Sequence, residues 1–141
     1  MNNLEKYLSI LNDQVDGLLL TSRYSRHYGA EFDIAEGMAV VSKKGCRYFT
    51  DSRYIESATG NIRNFQVVMT DVDRNYAMLI NQAIADFDIH TLGYEEEYMT
   101  AGACSRFQEK LNAKMVPYNE KIRSFRDVKE AWELDLLRKA Q

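Results

Sequence analysis

The chain has 141 residues, the length of one domain that can bury a core without disulfides or metals. Hydrophobic residues make up 45% and charged residues 28%, with one proline, which excludes the disordered and collagen-like classes. The net charge is −3 with acids and bases interspersed, and no apolar run approaches the ~20 residues of a membrane span. We therefore expect neither nucleic acid nor a membrane as a partner.

The two cysteines and the N-terminus favour the reducing cytosol. Cys46 and Cys104 lie far apart without CxxC spacing, so we predict small buried hydrophobes rather than redox groups. The first residues form an amphipathic start without the apolar core of a signal peptide. We expect a cytoplasmic protein.

The first half of the chain predicts a helix, a buried strand and a hairpin. Four apolar residues at helical spacing predict a first helix ending near Asn12: Leu4, Tyr7, Leu8 and Leu11. Residues 16–21 contain a short continuous apolar run, typical of a strand covered on both faces. Residues 38–41 and 47–50 flank a polar turn, so they predict an antiparallel hairpin in which Gly45 takes a positive φ.

The second half predicts alternating helices and strands. Three residues are predicted to be helix N-caps: Asp51, Asp73 and Thr100. The helix after Asp73 has the clearest apolar face: Tyr76, Leu79, Ile80, Ala83, Ile84 and Phe87. The predicted strands are 65–69, 91–94 and 114–117. This alternation, with one hairpin, predicts an α/β domain, a three-layer sandwich with a mixed sheet.

The last segment, 127–141, predicts a helix that runs to the final residue without a terminator. Asp127 can cap it, and Glu130 lies three residues on, as in a capping box. Five residues form an apolar stripe that needs a partner surface: Val128, Ala131, Trp132, Leu136 and Ala140. We therefore expect the chain to be a piece of a larger protein.

The polar residues around His27 are the first candidates for function. The two histidines of the sequence, His27 and His90, lack the spacing of a zinc site. His27 lies in a predicted polar loop after the first strand, where α/β sheets usually gather ligands. Its polar and aromatic neighbours are Arg23, Tyr24, Arg26 and Tyr28. The alternative interpretation is a surface loop held by aromatic packing.

Carboxylates form the second group of candidates. Asp51, Asp71 and Asp73 each follow a predicted strand and could hold a hard metal if they met in space. Each also stands at a helix start, and capping is the favoured interpretation. The three glutamates at 95–97 predict a solvated acidic turn. The sequence contains no phosphate-binding loop or nucleophile elbow, so motif spacing alone indicates no reaction.

Two stretches in the first third of the chain resemble a known domain. Residues 16–22 look like the first strand of the N-terminal domain of the creatinase/aminopeptidase P/prolidase family, the M24 metallopeptidases. Arg26–Tyr28, with Phe32 and Gly37, are similar to the loop of that domain that leads into its hairpin.

Later stretches continue the resemblance in the same order. Residues 49–54 resemble the Thr-Asp-x-Arg-Tyr signature of that domain, and residues 92–95 resemble its Ile-Gly-Phe-Glu strand. Residues 122–140 look like its junction with the catalytic domain. The shared order and spacing make the match more specific than any one motif.

The resemblance implies a fold and a division of labour. Residues 1–126 form a creatinase/prolidase N-terminal domain with a ribonuclease H-like motif, and 127–141 form a linker helix. The linker leads into an absent C-terminal pita-bread domain that holds two divalent metal ions, Mn, Co or Zn, and cleaves proline-containing peptides. The parent is then an enzyme, an Xaa-Pro dipeptidase or aminopeptidase, and this fragment alone is expected to be inactive.

For this chain the resemblance implies no catalytic and no metal-binding residue. Its partners are its own catalytic domain and a second copy, in a homodimer where it walls the partner's active-site mouth. The substrate-proximal candidates are Arg26, His27, Tyr28 and Glu31, and the structural signature is Asp51, Arg53 and Tyr54. Two alternatives stay open: the N-terminal domain of a metal-free creatinase-type C–N hydrolase, and a free-standing dimerisation or ligand-binding module.

Overall fold

The computed structural model describes residues 2–125. Its strands are β1 (Gly17–Leu20), β2 (Met38–Ser42), β3 (Gly45–Thr50), β4 (Gln66–Met69), β5 (Thr91–Tyr94) and β6 (Lys114–Pro117). Its α-helices are α1 (Asn3–Ser9), α2 (Arg23–Ala30), α3 (Ile55–Asn61), α4 (Tyr76–Asp86) and α5 (Ala101–Lys110), and a helical segment at 119–125 is called α6. A short 3₁₀ helix, Glu96–Tyr98, follows β5. All strands predicted from the sequence are present.

Within the described residues the strands form one sheet in the order β4-β3-β2-β1-β5-β6. The β2 strand is antiparallel to its two neighbours, β1 and β3, as the predicted hairpin requires. The other adjacent pairs are parallel, so the predicted mixed sheet is confirmed. All strands except β2 therefore end at one edge, which we call the carboxyl edge, and the opposite edge is called the amino edge.

Helices cover both faces of the sheet, which confirms the predicted three-layer α/β sandwich. The β1 strand shows the arrangement, because Leu18 and Leu20 face one core and Leu19 faces the other. Side chains of α1, α2, α3 and α6 join the first core, and side chains of α4 and α5 join the second. The buried face of α4 is the one predicted from its apolar spacing.

The turn of the β2–β3 hairpin differs from the prediction. Ser42 Oγ accepts from the Gly45 N–H at 3.1 Å and donates to Gly45 O at 2.7 Å, which closes the turn. No glycine among the described residues has a positive φ, so the predicted conformation of Gly45 is wrong. The ring of Phe87 lies against Gly45, and a Cβ at this position would overlap it, so a larger residue here would have to displace that ring.

One predicted N-cap is right and another is wrong. Thr100 caps α5 by accepting a backbone N–H at 3.1 Å, as predicted. The α4 helix is capped by Asn75 and not by Asp73. The reason is a turn before the helix, in which Asp71 accepts the Asp73 N–H at 2.9 Å and delays the helix start.

The predictions for the C-terminal segment lie outside the described residues. They are the helix 127–141 with its Asp127 cap and apolar stripe, and the domain boundary at residue 126. In the described range, Ile122 of α6 is buried in the first core. None of the helices in residues 2–125 is long and apolar enough to cross a lipid bilayer.

Candidate functional site

The segment after β1 is the helix α2, so the predicted polar loop is wrong. Ser22 caps the helix, and its Oγ accepts from the Ser25 N–H at 3.1 Å. The helix ends at Glu31, which has a left-handed φ of 57° and donates its N–H to His27 O at 2.8 Å. Sequence reasoning misses this helix because its buried face includes Ser25 and Arg26, which leaves no apolar stripe.

The α2 helix separates the four substrate-proximal candidates into two pairs. Arg26 and Tyr28 are buried, with 4% and 6% of their surface exposed. His27 and Glu31 are exposed on the outer side of the helix. The second pair is therefore accessible to a ligand, whereas the first pair is enclosed by its neighbours.

Arg26 is a buried cation that joins α2 to the segment before β2 and to β3. Its Nη1 donates to Ile34 O at 2.9 Å and to Tyr48 Oη at 2.7 Å. Its Nη2 and Nε donate to the carbonyl oxygens of Ala35 and Thr21. Burial raises the pKa of the Tyr48 hydroxyl, and the nearby guanidinium opposes that rise. Arg26 therefore holds the fold around the candidate site.

Tyr28 anchors α2 to both ends of the described chain. Its ring meets the Tyr7 ring edge-on at 5.4 Å and stacks on the Phe125 ring at 6.2 Å. Asn3 Nδ2 donates to Tyr28 O at 2.9 Å. A Cβ on the adjacent Gly29 would lie 3.1 Å from Tyr7 Cε2, so α1 and α2 are in close contact. Tyr28 is therefore buried because it packs between α1 and Phe125.

The predicted solvated turn of glutamates is wrong at Glu95, which is only 2% exposed. Its Oε1 accepts from the N–H groups of Thr21 and Ser22 at 2.9 and 3.1 Å and from Ser25 Oγ at 2.6 Å. The next carboxylate, Glu96, accepts two backbone N–H groups at the start of α6. The turn therefore fixes the starts of two helices.

Asp51 and Arg53, two of the structural-signature residues, form an ion pair after β3. Arg53 Nη2 donates to Asp51 Oδ2 at 2.7 Å, and the Arg53 N–H donates to Asp51 Oδ1 at 3.0 Å. The side-chain hydrogen bond from Arg53 lowers the pKa of Asp51, and the guanidinium carbon lies 5.1 Å from the Tyr54 ring centre. Asp51 does not cap α3, which begins at Ile55 without a side-chain cap, so that prediction is wrong.

Residues 2–125 contain no group of three His, Cys, Asp or Glu side chains that could hold a metal ion. Asp71 is engaged in the turn before α4, and Asp51 is engaged with Arg53. His90 lies at the amino edge, where its Nδ1 is 3.1 Å from Asp16 Oδ2. The described residues therefore do not fit the pair of divalent ions that the resemblance assigns to the catalytic domain.

Both cysteines are free and half-buried. Burial raises the pKa of the Cys46 thiol. Cys104 Sγ lies 3.2 Å from Tyr94 Oη, and this hydrogen bond raises the pKa of Tyr94 to about 12. The two thiols pack against the two cores but keep exposed surface, so the predicted full burial is not reached.

The carboxyl edge thus carries three of the stretches on which the family resemblance depends, residues 26–37, 49–54 and 92–95. Residues 4–128 match the family described as the creatinase/prolidase N-terminal domain. The chain belongs to this family. The match spans α2, the Asp51–Tyr54 corner and the Glu95 turn, and the resemblance inferred from the sequence motifs is confirmed.

Named relatives of this creatinase/prolidase N-terminal domain are peptidases. The uncharacterised peptidase YqhT of Bacillus subtilis is 28% identical over 127 residues, covering 89% of this chain and 35% of that protein. An Xaa-Pro dipeptidase from Bacillus anthracis aligns with a TM-score of 0.81 at 26% identity, covering 88% of this chain and 35% of its own. The chain therefore spans 35% of the length of each of these two relatives.

A second solved structure shares the fold alone. It is the N-terminal domain of the cytoplasmic peptidase PepQ from Mycobacterium tuberculosis H37Rv, with a TM-score of 0.68 at 19% identity. The alignment covers 86% of this chain and 95% of that one. That structure contains the N-terminal domain of the peptidase and is similar in length to this chain.

Proposed function

We propose that this chain is the non-catalytic N-terminal domain of a cytoplasmic, metal-dependent Xaa-Pro peptidase of the aminopeptidase P/prolidase type. Family membership and the activity named for the Bacillus anthracis relative support the proposal. The chemistry belongs to a separate C-terminal catalytic domain, where two divalent ions, Mn, Co or Zn, would activate water and polarise the scissile carbonyl. This chain has no bond-breaking role.

The proposed role of this domain is supported by the arrangement of buried and exposed side chains on α2. Buried Arg26 and Tyr28 fix its inner side, and exposed His27 and Glu31 lie on its outer side. A rigid helix after a strand that ends at the carboxyl edge is a usual setting for ligand contact in α/β proteins. His27 and Glu31 then contact proline-containing peptides at the mouth of the partner's active site, and Arg26 and Tyr28 hold the helix beneath them.

Exposed apolar side chains support a homodimer that uses the carboxyl edge. Among the described residues, the exposed large hydrophobic side chains lie in the last residue of a strand that ends at this edge or in the segments that follow such strands: Tyr24, Met69, Val72, Met78 and Tyr98. Large apolar side chains exposed at one edge of a sheet are candidates for an interface between copies of a chain. We assign this region to contacts within the dimeric parent.

The test uses the full-length protein and two variants of the outer side of α2, His27→Ala and Glu31→Ala. We expect each to raise KM for Xaa-Pro peptides about fivefold, as for one lost contact worth about 1 kcal/mol, with kcat changed less. His90→Ala is the matched control, because this exposed histidine lies at the amino edge. Sedimentation velocity checks that each variant is still a dimer. A wild-type KM in both α2 variants would remove the proposed contact.

A further inference from the structure

The peptide group that joins Thr21 to Ser22 lies between two buried charges. Its N–H, on Ser22, donates to Glu95 Oε1 at 3.1 Å, and its carbonyl, on Thr21, accepts from Arg26 Nε at 3.4 Å. Only 2% of Glu95 and 4% of Arg26 is exposed. The peptide group is therefore held from both sides at the point where β1 ends and α2 begins.

Within the described residues, neither charge has an oppositely charged hydrogen-bond partner. Glu95 accepts from two backbone N–H groups and from the Ser25 hydroxyl. Arg26 donates to three carbonyl oxygens and to the Tyr48 phenol. A buried charge without an ion pair is costly and persists only where fixed dipoles replace water. Glu95 and Arg26 therefore depend on the geometry of the β1–α2 junction, and they also fix it.

Ser25 connects the junction to the exposed side of α2. Its Oγ lies 2.6 Å from Glu95 Oε1, and it belongs to the first turn of the helix. Because α2 is a rigid element of 8 residues, a shift of its first turn moves His27 and Glu31 with it. A displacement of about 1 Å is enough to weaken a positioned contact.

We infer that Glu95 and Arg26 are positioning residues. They set the placement of α2 and, through it, the contact of His27 and Glu31 with the peptide at the partner's active-site mouth. The inference rests on the proposed function, because it requires α2 to face that mouth. It deepens the proposal by naming buried residues that control a substrate contact without touching the substrate.

Asp16 provides a matched comparison at the amino edge. Its carboxylate accepts from the backbone N–H groups of His90 and Thr91 at 3.0 and 2.9 Å, where β5 begins. It ties β1 to β5 at one edge, as Glu95 ties the same two strands at the other. The two carboxylates share their chemistry and their strands, but only Glu95 contacts the start of α2.

The test compares Glu95→Gln with Asp16→Asn in the full-length enzyme. Each change keeps the size of the side chain and removes its charge, so both should lower the melting temperature. We expect Glu95→Gln to raise KM about fivefold with kcat within about twofold, and Asp16→Asn to leave KM unchanged. A wild-type KM for Glu95→Gln would overturn the inference, and so would equal rises in both variants. If Glu95→Gln does not fold, Ser25→Ala replaces it under the same criteria, because it removes the hydroxyl contact between Glu95 and α2, together with the two contacts of that hydroxyl with Ser22, and leaves the Glu95 carboxylate in place.

A combined variant separates the inference from the proposed function. If Glu95 acts through α2, Glu95→Gln adds no further rise in KM to a protein that already carries His27→Ala and Glu31→Ala. A further rise in that background would overturn the positioning role. A wild-type KM for His27→Ala and Glu31→Ala would overturn the proposed contact of α2 with the substrate, on which the inference rests. If His27→Ala and Glu31→Ala raise KM but Glu95→Gln has the wild-type KM, only the inference would be overturned.

Discussion

At the scale of single residues, Gly37 marks a place where the carboxyl edge has no room for a side chain. A Cβ built on Gly37 would lie 2.7 Å from Phe49 O and 3.3 Å from Arg26 Nη1. The carbonyl belongs to the backbone of β3, so it cannot move aside as a flexible side chain can. Glycine is therefore required here by close approach and not by a positive φ.

We predict that Gly37→Ala lowers the free energy of unfolding by about 1–3 kcal/mol, the usual cost of overpacking a filled site. Gly60→Ala is the matched control, because no atom lies within 4 Å of a Cβ built at Gly60 in α3. That variant should gain about 0.5–1 kcal/mol from helix propensity. Urea unfolding measures the free energy of unfolding of both variants. Equal values for the two would contradict the claim that Gly37 has no room for a side chain.

Asp86 links stability to pH through Arg47. Arg47 Nη2 lies 2.6 Å from Asp86 Oδ2. The hydrogen bond from Arg47, followed by that from Gln82, lowers the pKa of Asp86 below its ordinary value of 3.8. A carboxyl with a lower pKa in the folded state stabilises the fold above its ordinary pKa, and this contribution is lost as the pH falls through the lowered value.

We predict that Asp86→Asn reduces the loss of thermal stability between about pH 5 and about pH 2, because the variant has no carboxyl to protonate there. Melting temperatures measured across this range, for the variant and the unmodified chain, check it. The variant should be less stable than the unmodified chain at neutral pH and closer to it in acid. Parallel curves of melting temperature against pH for the two proteins would show that the Arg47–Asp86 ion pair does not contribute to the pH dependence of stability.

At the scale of elements, the residue that caps α4 is Asn75, whereas the sequence predicts Asp73. Asn75 Oδ1 accepts the Met78 N–H at 3.0 Å, whereas Asp73 lies in the turn before the helix. We predict that Asn75→Ala lowers the free energy of unfolding by about 1 kcal/mol. Asp73→Ala should change it by less than about 0.5 kcal/mol, as for an ordinary surface site. Denaturant unfolding of both variants measures these changes. A larger loss of unfolding free energy in Asp73→Ala than in Asn75→Ala would show that Asp73 is the cap.

Elements that carry their own apolar pattern are the part of the fold that can be predicted from sequence. The buried run of β1 and the stripe of α4 are local signals, and Thr100 stands directly before its helix. The α2 helix is different, because its burial depends on Arg26 bonding to Tyr48 and on Ser25 bonding to Glu95. A pairing between residues 70 positions apart leaves no local pattern.

The same reason explains why Glu95 is missed as a site residue. It begins a run of three glutamates, which is typical of a solvated turn, and its partners belong to the β1–α2 junction. The available signal is the family motif at residues 92–95, which distinguishes Glu95 from Glu96 and Glu97. The motif indicates that the residue matters, and only the fold shows what it contacts.

At the scale of the whole molecule, the sheet topology brings the family motifs together. Residues 26–37 lead into the start of β2, residues 49–54 include the end of β3 and the corner after it, and residues 92–95 run from β5 into the glutamate turn. All three positions lie at the carboxyl edge, together with the exposed apolar side chains. This edge as a whole, and not a single motif, is the surface for which we propose contacts within a parent peptidase.

The central claim is that this domain supports peptide cleavage without performing it. The most direct measurement compares residues 1–141 with the full-length protein in the hydrolysis of an Xaa-Pro dipeptide, with Mn²⁺ or Co²⁺ added and the bound metal counted in both. We predict chelator-sensitive turnover and bound metal in the full-length protein, and neither in residues 1–141. Chelator-sensitive turnover by residues 1–141 alone, or a full-length protein that cleaves no Xaa-Pro bond, would contradict the claim.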